Sequence, residues 1–304
     1  MARAWSSHCE SPSVYKKGGR QHPEQVKRAA IIGIISLSGL VSLWALFIWL
    51  GETESNYETP PPTTRLEKNA TQPPLNTTYQ PRSFTSGEVG IYKVRVEKGF
   101  LKLPAGKVTF TADLIDFNGT EQWQFSLKGG AIGGLVKYDI TSKVNPPFTH
   151  SLEYHTIQTD LASRKVALIF DEKTHQCRRS LNGKPDGEVK TKGSTYDPLS
   201  IIFKFREMNL DQPGEFSGAV CDGKATFPAT VTVVGPEELK IGEKTFQTIL
   251  VEPDLGNLRG VFRKDPDAKL QIWLSNDDYQ TPLRIKTKVK HGTFIADLED
   301  YQRE

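Results

Sequence analysis

Apolar and polar positions alternate in two different ways along this chain. From Ala29 to Leu50 the run AAIIGIISLSGLVSLWALFIWL holds no charge over 22 residues. As a helix it would rise to about 33 Å, enough to cross a hydrocarbon core of about 30 Å. Lipid offers no water to backbone N–H and C=O groups, so the run is expected to close its own bonds as a transmembrane helix. From Gly87 onward the period is two, as in Val94-Arg95-Val96, Val108-Thr109-Phe110-Thr111-Ala112, Trp123-Gln124-Phe125-Ser126-Leu127 and Phe246-Gln247-Thr248-Ile249-Leu250-Val251. Such alternation predicts half-buried antiparallel strands. Turn signals at Pro104-Ala105-Gly106, Asn118-Gly119, Asn182-Gly183, Asp222-Gly223 and Asn276-Asp277-Asp278 separate them into about a dozen. A sheet that wide curls or splits. The expected fold is an all-β, antiparallel curled sheet or barrel-like domain with one short helix, preceded by a single transmembrane helix.

The short helix is expected over 197–208. Asp197 and Pro198 form an opening, with an acidic cap and proline at the first helical position. At 100° per residue Leu199, Ile202, Phe203 and Arg206 share one side, widened by Ile201, Phe205 and Met208. Ser200, Lys204 and Glu207 share the other. Arg206 then falls on the face to be buried, where a guanidinium needs a carboxylate. The competing pattern is a strand in which Ile201, Phe203 and Phe205 alternate with Lys204 and Arg206.

Four segments follow: a basic leader (1–28), the span (29–50), a linker (51–86) and a β-rich domain (87–304). The linker holds Pro60, Pro61, Pro62, Pro73, Pro74 and Pro81 among Thr, Asn, Glu and Gln, which favours an extended spacer over a folded unit. Arg3, Lys16, Lys17, Arg20, Lys27 and Arg28 precede the span, whereas Glu52, Glu54 and Glu58 follow it. That bias keeps the N-terminus cytoplasmic and exports the domain. A cleaved signal peptide would have a shorter apolar region and a small-residue cleavage site, so an uncleaved anchor is expected. The net charge of +3 owes much to the leader and gives no argument for nucleic acid.

Cys9 lies in the leader, while Cys177 and Cys221 lie in the exported part, where a bridge between them is a candidate that geometry must decide. No catalytic constellation, cofactor motif or metal site is legible in the sequence. His150 and His155 fall on opposite faces of a strand, and His175 and His291 lack neighbouring ligands. Gly129-Gly130-Ala131-Ile132-Gly133-Gly134 is followed by a strand pattern and not by a helix, which suits close backbone approach better than a phosphate loop. One stripe stands out. Arg284, Lys286, Lys288 and Lys290 line one strand face at about 6.7 Å intervals. It is either an anion contact or a solvated outer face that discourages edge pairing.

Asp197-x-Leu199-Ser200 with Arg206, then Trp273-Leu274-Ser275 with Asp278 and Pro282, and the closing Gly292-Thr293-Phe294-Ile295-Ala296-Asp297-Leu298 follow one another in order. In these motifs residues 87–298 resemble the bacterial envelope family catalogued as domain of unknown function 3108. The resemblance implies a Gram-negative exported β-rich domain and brings no catalytic residues. It suggests Asp278 as the partner of Arg206. The expected protein is thus a single-pass inner-membrane protein with a periplasmic binding module for an apolar, lipid-like or envelope-polymer ligand. Trp123, Phe125, Phe203 and Trp273 are the candidate lining residues. The alternative is a scaffold that docks another cell-envelope protein.

Overall fold

The computed structural model describes residues 83–131, 136–159, 163–210, 215–254, 269–289 and 292–303. The leader, the expected span and nearly all of the linker lie outside these residues, as does Lys290. Among the described residues no helix is long and apolar enough to cross a membrane.

Fifteen strands and one helix make up the described part. The first eight strands are β1 (Glu88–Lys98), β2 (Leu101–Phe117), β3 (Thr120–Ala131), β4 (Val136–Val144), β5 (Ser151–Thr159), β6 (Arg164–Asp171), β7 (Gln176–Leu181) and β8 (Lys184–Lys190). The two-residue strand β9 (Thr195–Tyr196) and helix α1 (Ser200–Arg206) come next. The last six are β10 (Glu215–Cys221), β11 (Thr226–Ile241), β12 (Lys244–Asp254), β13 (Lys269–Ser275), β14 (Pro282–Val289) and β15 (Gly292–Gln302).

All fifteen belong to one sheet, ordered β8-β7-β6-β5-β4-β3-β2-β1-β15-β14-β13-β12-β11-β10-β9. Two antiparallel meanders thus meet where the first and last strands pair, with Val94 opposite Ala296. Only β9 runs parallel to its neighbour, Thr195 facing Ala219 of β10. Bulges at Ile91/Tyr92, Val94/Arg95, Lys143/Val144, Val233/Gly235 and Trp273/Leu274 bend the ladder locally. The ladder curls without closing, and β8 and β9 are its free ends.

The period-two reading is realised directly. In β1, Tyr92, Val94 and Val96 point inward while Lys93, Arg95 and Glu97 are more exposed. Asn118-Gly119 and Asn182-Gly183 both take positive φ at both positions, the type I′ geometry that matches strand twist in a two-residue hairpin. Gly129 confirms close approach: an added Cβ would lie 2.6 Å from Val108 Cγ1 and 3.0 Å from the Lys107 carbonyl.

One continuous core draws side chains from both meanders, among them Phe110, Trp123, Phe125 and Ile140 from the first and Phe227, Val231, Ile272 and Ala296 from the second. Helix α1 sits within that core, its Ile201, Phe203 and Phe205 buried. The expected helix therefore exists, though it is shorter than 197–208. Ser200, expected on the polar face, is buried, because its hydroxyl finds Ser151 Oγ at 2.9 Å. A second, smaller cluster joins Leu239, Leu250, Trp273 and Leu283. Ile249, Val251, Ile272 and Leu274 belong to the main core while Leu250 and Trp273 alternate with them. The second cluster therefore lies on the opposite face of the sheet.

Candidate functional site

The interior aromatic side chains come together and pack on one another between the curled strands. Phe84, Phe125 and Phe203 form its centre. Phe125 stacks on Phe203 with centroids 4.0 Å apart, and Phe84 meets Trp123, Phe125, Phe148 and Phe203 edge-on at 5.0–5.6 Å. Trp123, Phe125 and Phe203 thus converge as expected, but they line one another. A cavity of about 20 Å³ beside Phe203, Tyr92 and Phe110 has room for about one water. Trp273 does not join them. It lies in the cluster on the other face, and its Nε1 donates to Glu237 at 3.1 Å. Strand parity explains the separation, since 273 is out of phase with the inward-facing 272 and 274.

Several charged groups are buried, among them Arg206, Glu88 and Asp197 beside this core. Arg206 Nη1 lies 2.6 Å from Glu88 Oε1, and Nη2 donates to Glu88 Oε2 at 3.1 Å, to the Ser83 carbonyl at 2.5 Å and to the Tyr279 carbonyl at 3.1 Å. Glu88, and not Asp278, is its carboxylate partner. The Asp278 loop supplies a backbone carbonyl instead, from the next residue. Burial opposes the guanidinium charge, yet Glu88 outweighs it and holds Arg206 above its ordinary pKa.

Asp197 is fully buried and accepts four hydrogen bonds. Ser142 and Ser151 hydroxyls donate to Oδ2 at 2.6 Å each, and the N–H groups of Leu199 and Ser200 donate to Oδ1 at 2.8 and 3.0 Å. It therefore caps the opening of α1, as the sequence suggested. Burial still pushes its carboxyl above the usual range against those four bonds. Among the described residues, no group of three or more His, Cys, Asp or Glu side chains is placed to hold a metal.

A broad concavity lies on the outer face. A trough of about 1160 Å³ runs between the β1–β2 hairpin and the turn joining β11 to β12. Its apolar surface includes Leu103, Ile241, Phe246, Leu283 and Leu298, and its edges carry Lys93, Lys102, Lys107 and Lys244. Lys93 and Lys107 both reach Glu299, at 2.6 and 2.5 Å, and hold it below the ordinary carboxylate range. On the floor Asp297 is clamped between Arg95 and Arg284.

Beside the trough the two-residue turn Gly99-Phe100 projects outward. Gly99 takes φ +60°, the position a type II′ turn reserves for glycine. Phe100 is 101% exposed, Leu101 48% and Leu103 42%. Lys98 and Lys102 flank them.

The predicted basic stripe divides. Arg284 is neutralised by Asp297 and donates to the Lys240 carbonyl at 3.2 Å. Lys286 and Lys288 stay on the outer face, and among the described residues neither has a carboxylate within ion-pair distance. Sequence reasoning missed the trough and its hairpin. The available signal was Lys98-Gly99-Phe100-Leu101-Lys102-Leu103, where apolar residues continue through a turn. Cys177 and Cys221, proposed as a pair on sequence grounds, are brought together, with their thiols hydrogen-bonded to each other.

An all-β domain built from one curled, barrel-like sheet around a short internal helix is thereby defined. The family model described as "Protein of unknown function (DUF3108)" matches residues 91–299, and the chain belongs to that family. A solved structure, the beta-barrel-like protein of domain of unknown function DUF1849 from Brucella abortus, is similar at 8% identity. It covers 73% of this chain and 99% of its own, with a TM-score of 0.47. No curated protein matches the sequence.

Proposed function

We propose that this protein is a membrane-tethered binding module of the bacterial periplasm, which takes a lipid-like amphiphile into the outer trough. The leader, span and spacer support the tether, and the trough supports the binding. The single observation carrying the reading is a concavity of about 1160 Å³ with apolar side chains on its surface and lysines at its edge. Ligand sites are typically clefts of about 300–1,000 Å³ with apolar walls and a few polar groups that fix orientation. An acyl chain laid over Leu103, Phe246, Leu283 and Leu298 would leave its head group within reach of Lys102, Lys107 and Lys244. Among the described residues the interior aromatic side chains pack on one another, which favours the outer trough over the interior as the site.

A diazirine-bearing phospholipid tests this in the full chain reconstituted into phosphatidylethanolamine and phosphatidylglycerol vesicles. Photocrosslinks mapped by peptide mass spectrometry are expected at the trough as well as in residues 29–50. Leu103→Asp or Phe246→Asp should reduce the trough crosslinks several-fold and leave those in 29–50 unchanged. Crosslinks confined to 29–50 overturn the proposal. The exposed Phe100 also favours a second reading, in which the hairpin docks another envelope protein. A stoichiometric protein captured by a photoreactive residue at position 100, in place of lipid, would select it.

A further inference from the structure

The open seam of the sheet carries a chemical feature that the trough does not use. β7 is second from one end of the ladder and β10 second from the other, and no ladder hydrogen bonds join them. Yet the two ends are pressed together. Thr226 Oγ1 donates to the Lys190 carbonyl at 2.8 Å. Gly223, with φ +79°, is seated so tightly that an added Cβ would lie 2.3 Å from Leu168 Cδ2 and 2.8 Å from Arg179 Cδ. At this contact stand Cys177 of β7 and Cys221 of β10. Both are 0% exposed, both belong to the main core, and both are free thiols in the structure.

We propose that Cys177 and Cys221 are a disulfide site that staples the two ends of the curled sheet. The bridge would close a loop containing β8, β9 and α1, so it would fix the interior helix as well as the seam. The thiols are already hydrogen-bonded to each other across the gap. In the folded protein the Cys177 contact, and the Gly223 N–H that donates to Cys221 Sγ at 3.4 Å, hold Cys221 below the usual thiol range against its burial. The oxidant is a disulfide carrier of the thiol–disulfide exchange class. The thiolate of one cysteine attacks one sulfur of the carrier disulfide, and the other leaves as a thiolate. The sulfur of the second cysteine then displaces the carrier from the mixed disulfide. Two electrons and two protons pass from the pair to the carrier, which ends as a dithiol. Because both sulfurs are sealed in the folded core, exchange takes place before the seam closes. Once formed, the bridge is shielded from reductant.

The experiment uses the full chain in detergent, unfolded under non-reducing conditions, alkylated, digested and read by mass spectrometry. Samples are taken as isolated from the membrane fraction and after refolding with oxidised glutathione. The expected result is a Cys177–Cys221 linked peptide, with Cys9 alone alkylated. Dithiothreitol should break the link rapidly in denaturant and at least tenfold more slowly in the folded protein. The reduced protein, which keeps both sulfurs and their packing, should melt roughly 10 °C below the oxidised one. Quantitative alkylation of Cys177 and Cys221 in both samples overturns the inference. So does linkage of either residue to Cys9 or to glutathione.

Discussion

Arg206 shows what one residue can and cannot announce. Its place on the apolar side of a helix required a buried carboxylate, and the structure supplies one. The partner's identity was not legible, because Glu88 sits 118 positions away at the start of an ordinary alternating strand. Removing one half of a buried pair strands the other charge, so Glu88→Gln should cost about 3–5 kcal/mol, while Asp278→Ala should stay within about 0.5 kcal/mol. Urea unfolding of the two variants decides between them, and equal losses would contradict the assignment. Asp197 differs, because burial raises its folded pKa above the unfolded value. Its charge therefore costs stability as pH rises through the unfolded carboxylate range near 3.9 toward the folded value. Asp197→Asn keeps an acceptor for the Leu199 and Ser200 N–H groups without the charge. It should gain on wild type between pH 4 and pH 7. Asp197→Ala should lose about 1–3 kcal/mol throughout, since those donors are left unpaired. An Asn variant that loses ground as pH rises would refute the argument.

At the scale of elements, most of the strands were visible because each buries one face, and a period of two survives in the sequence wherever that holds. Helix α1 was visible through Asp197 and Pro198, although its seven residues barely exceed one competing strand pattern. The β1–β2 hairpin was not visible as a feature. Its apolar residues looked like the alternation of β2, and only their exposure marks them as unusual. Phe100 supports nothing in the fold, so Phe100→Ser should shift the melting temperature by no more than about 1 °C. The same change should weaken lipid crosslinking at the trough if the hairpin is its lip. A large drop in thermal stability would mean that Phe100 is packed, contrary to its position. The basic stripe teaches the converse. Four like charges in alternation were legible, but one of them, Arg284, is held by Asp297 on the neighbouring strand, and pairing partners are not written into a single strand.

For the whole molecule, strand number and class were within reach of pattern reasoning, whereas strand order was not. Two meanders follow from short turns, but nothing local says that the first strand pairs with the last. That pairing is the longest-range contact of the ladder, and loop-closure entropy must be met before it forms. It also decides how the sheet ends. With β15 between β1 and β14, the ladder's free ends are the short β8 and β9. Without β15 the sheet would fall into two meanders with the edges of β1 and β14 exposed, and the core would lose Phe294 and Ala296, which are 1% and 0% exposed. Phe294→Ala alone should cost about 3–5 kcal/mol, and deletion of 292–304 should abolish the cooperative transition outright. Circular dichroism melts of the two variants test this. A truncated chain that still unfolded cooperatively would show that each meander is stable by itself, and that the β1–β15 ladder merely joins two finished halves.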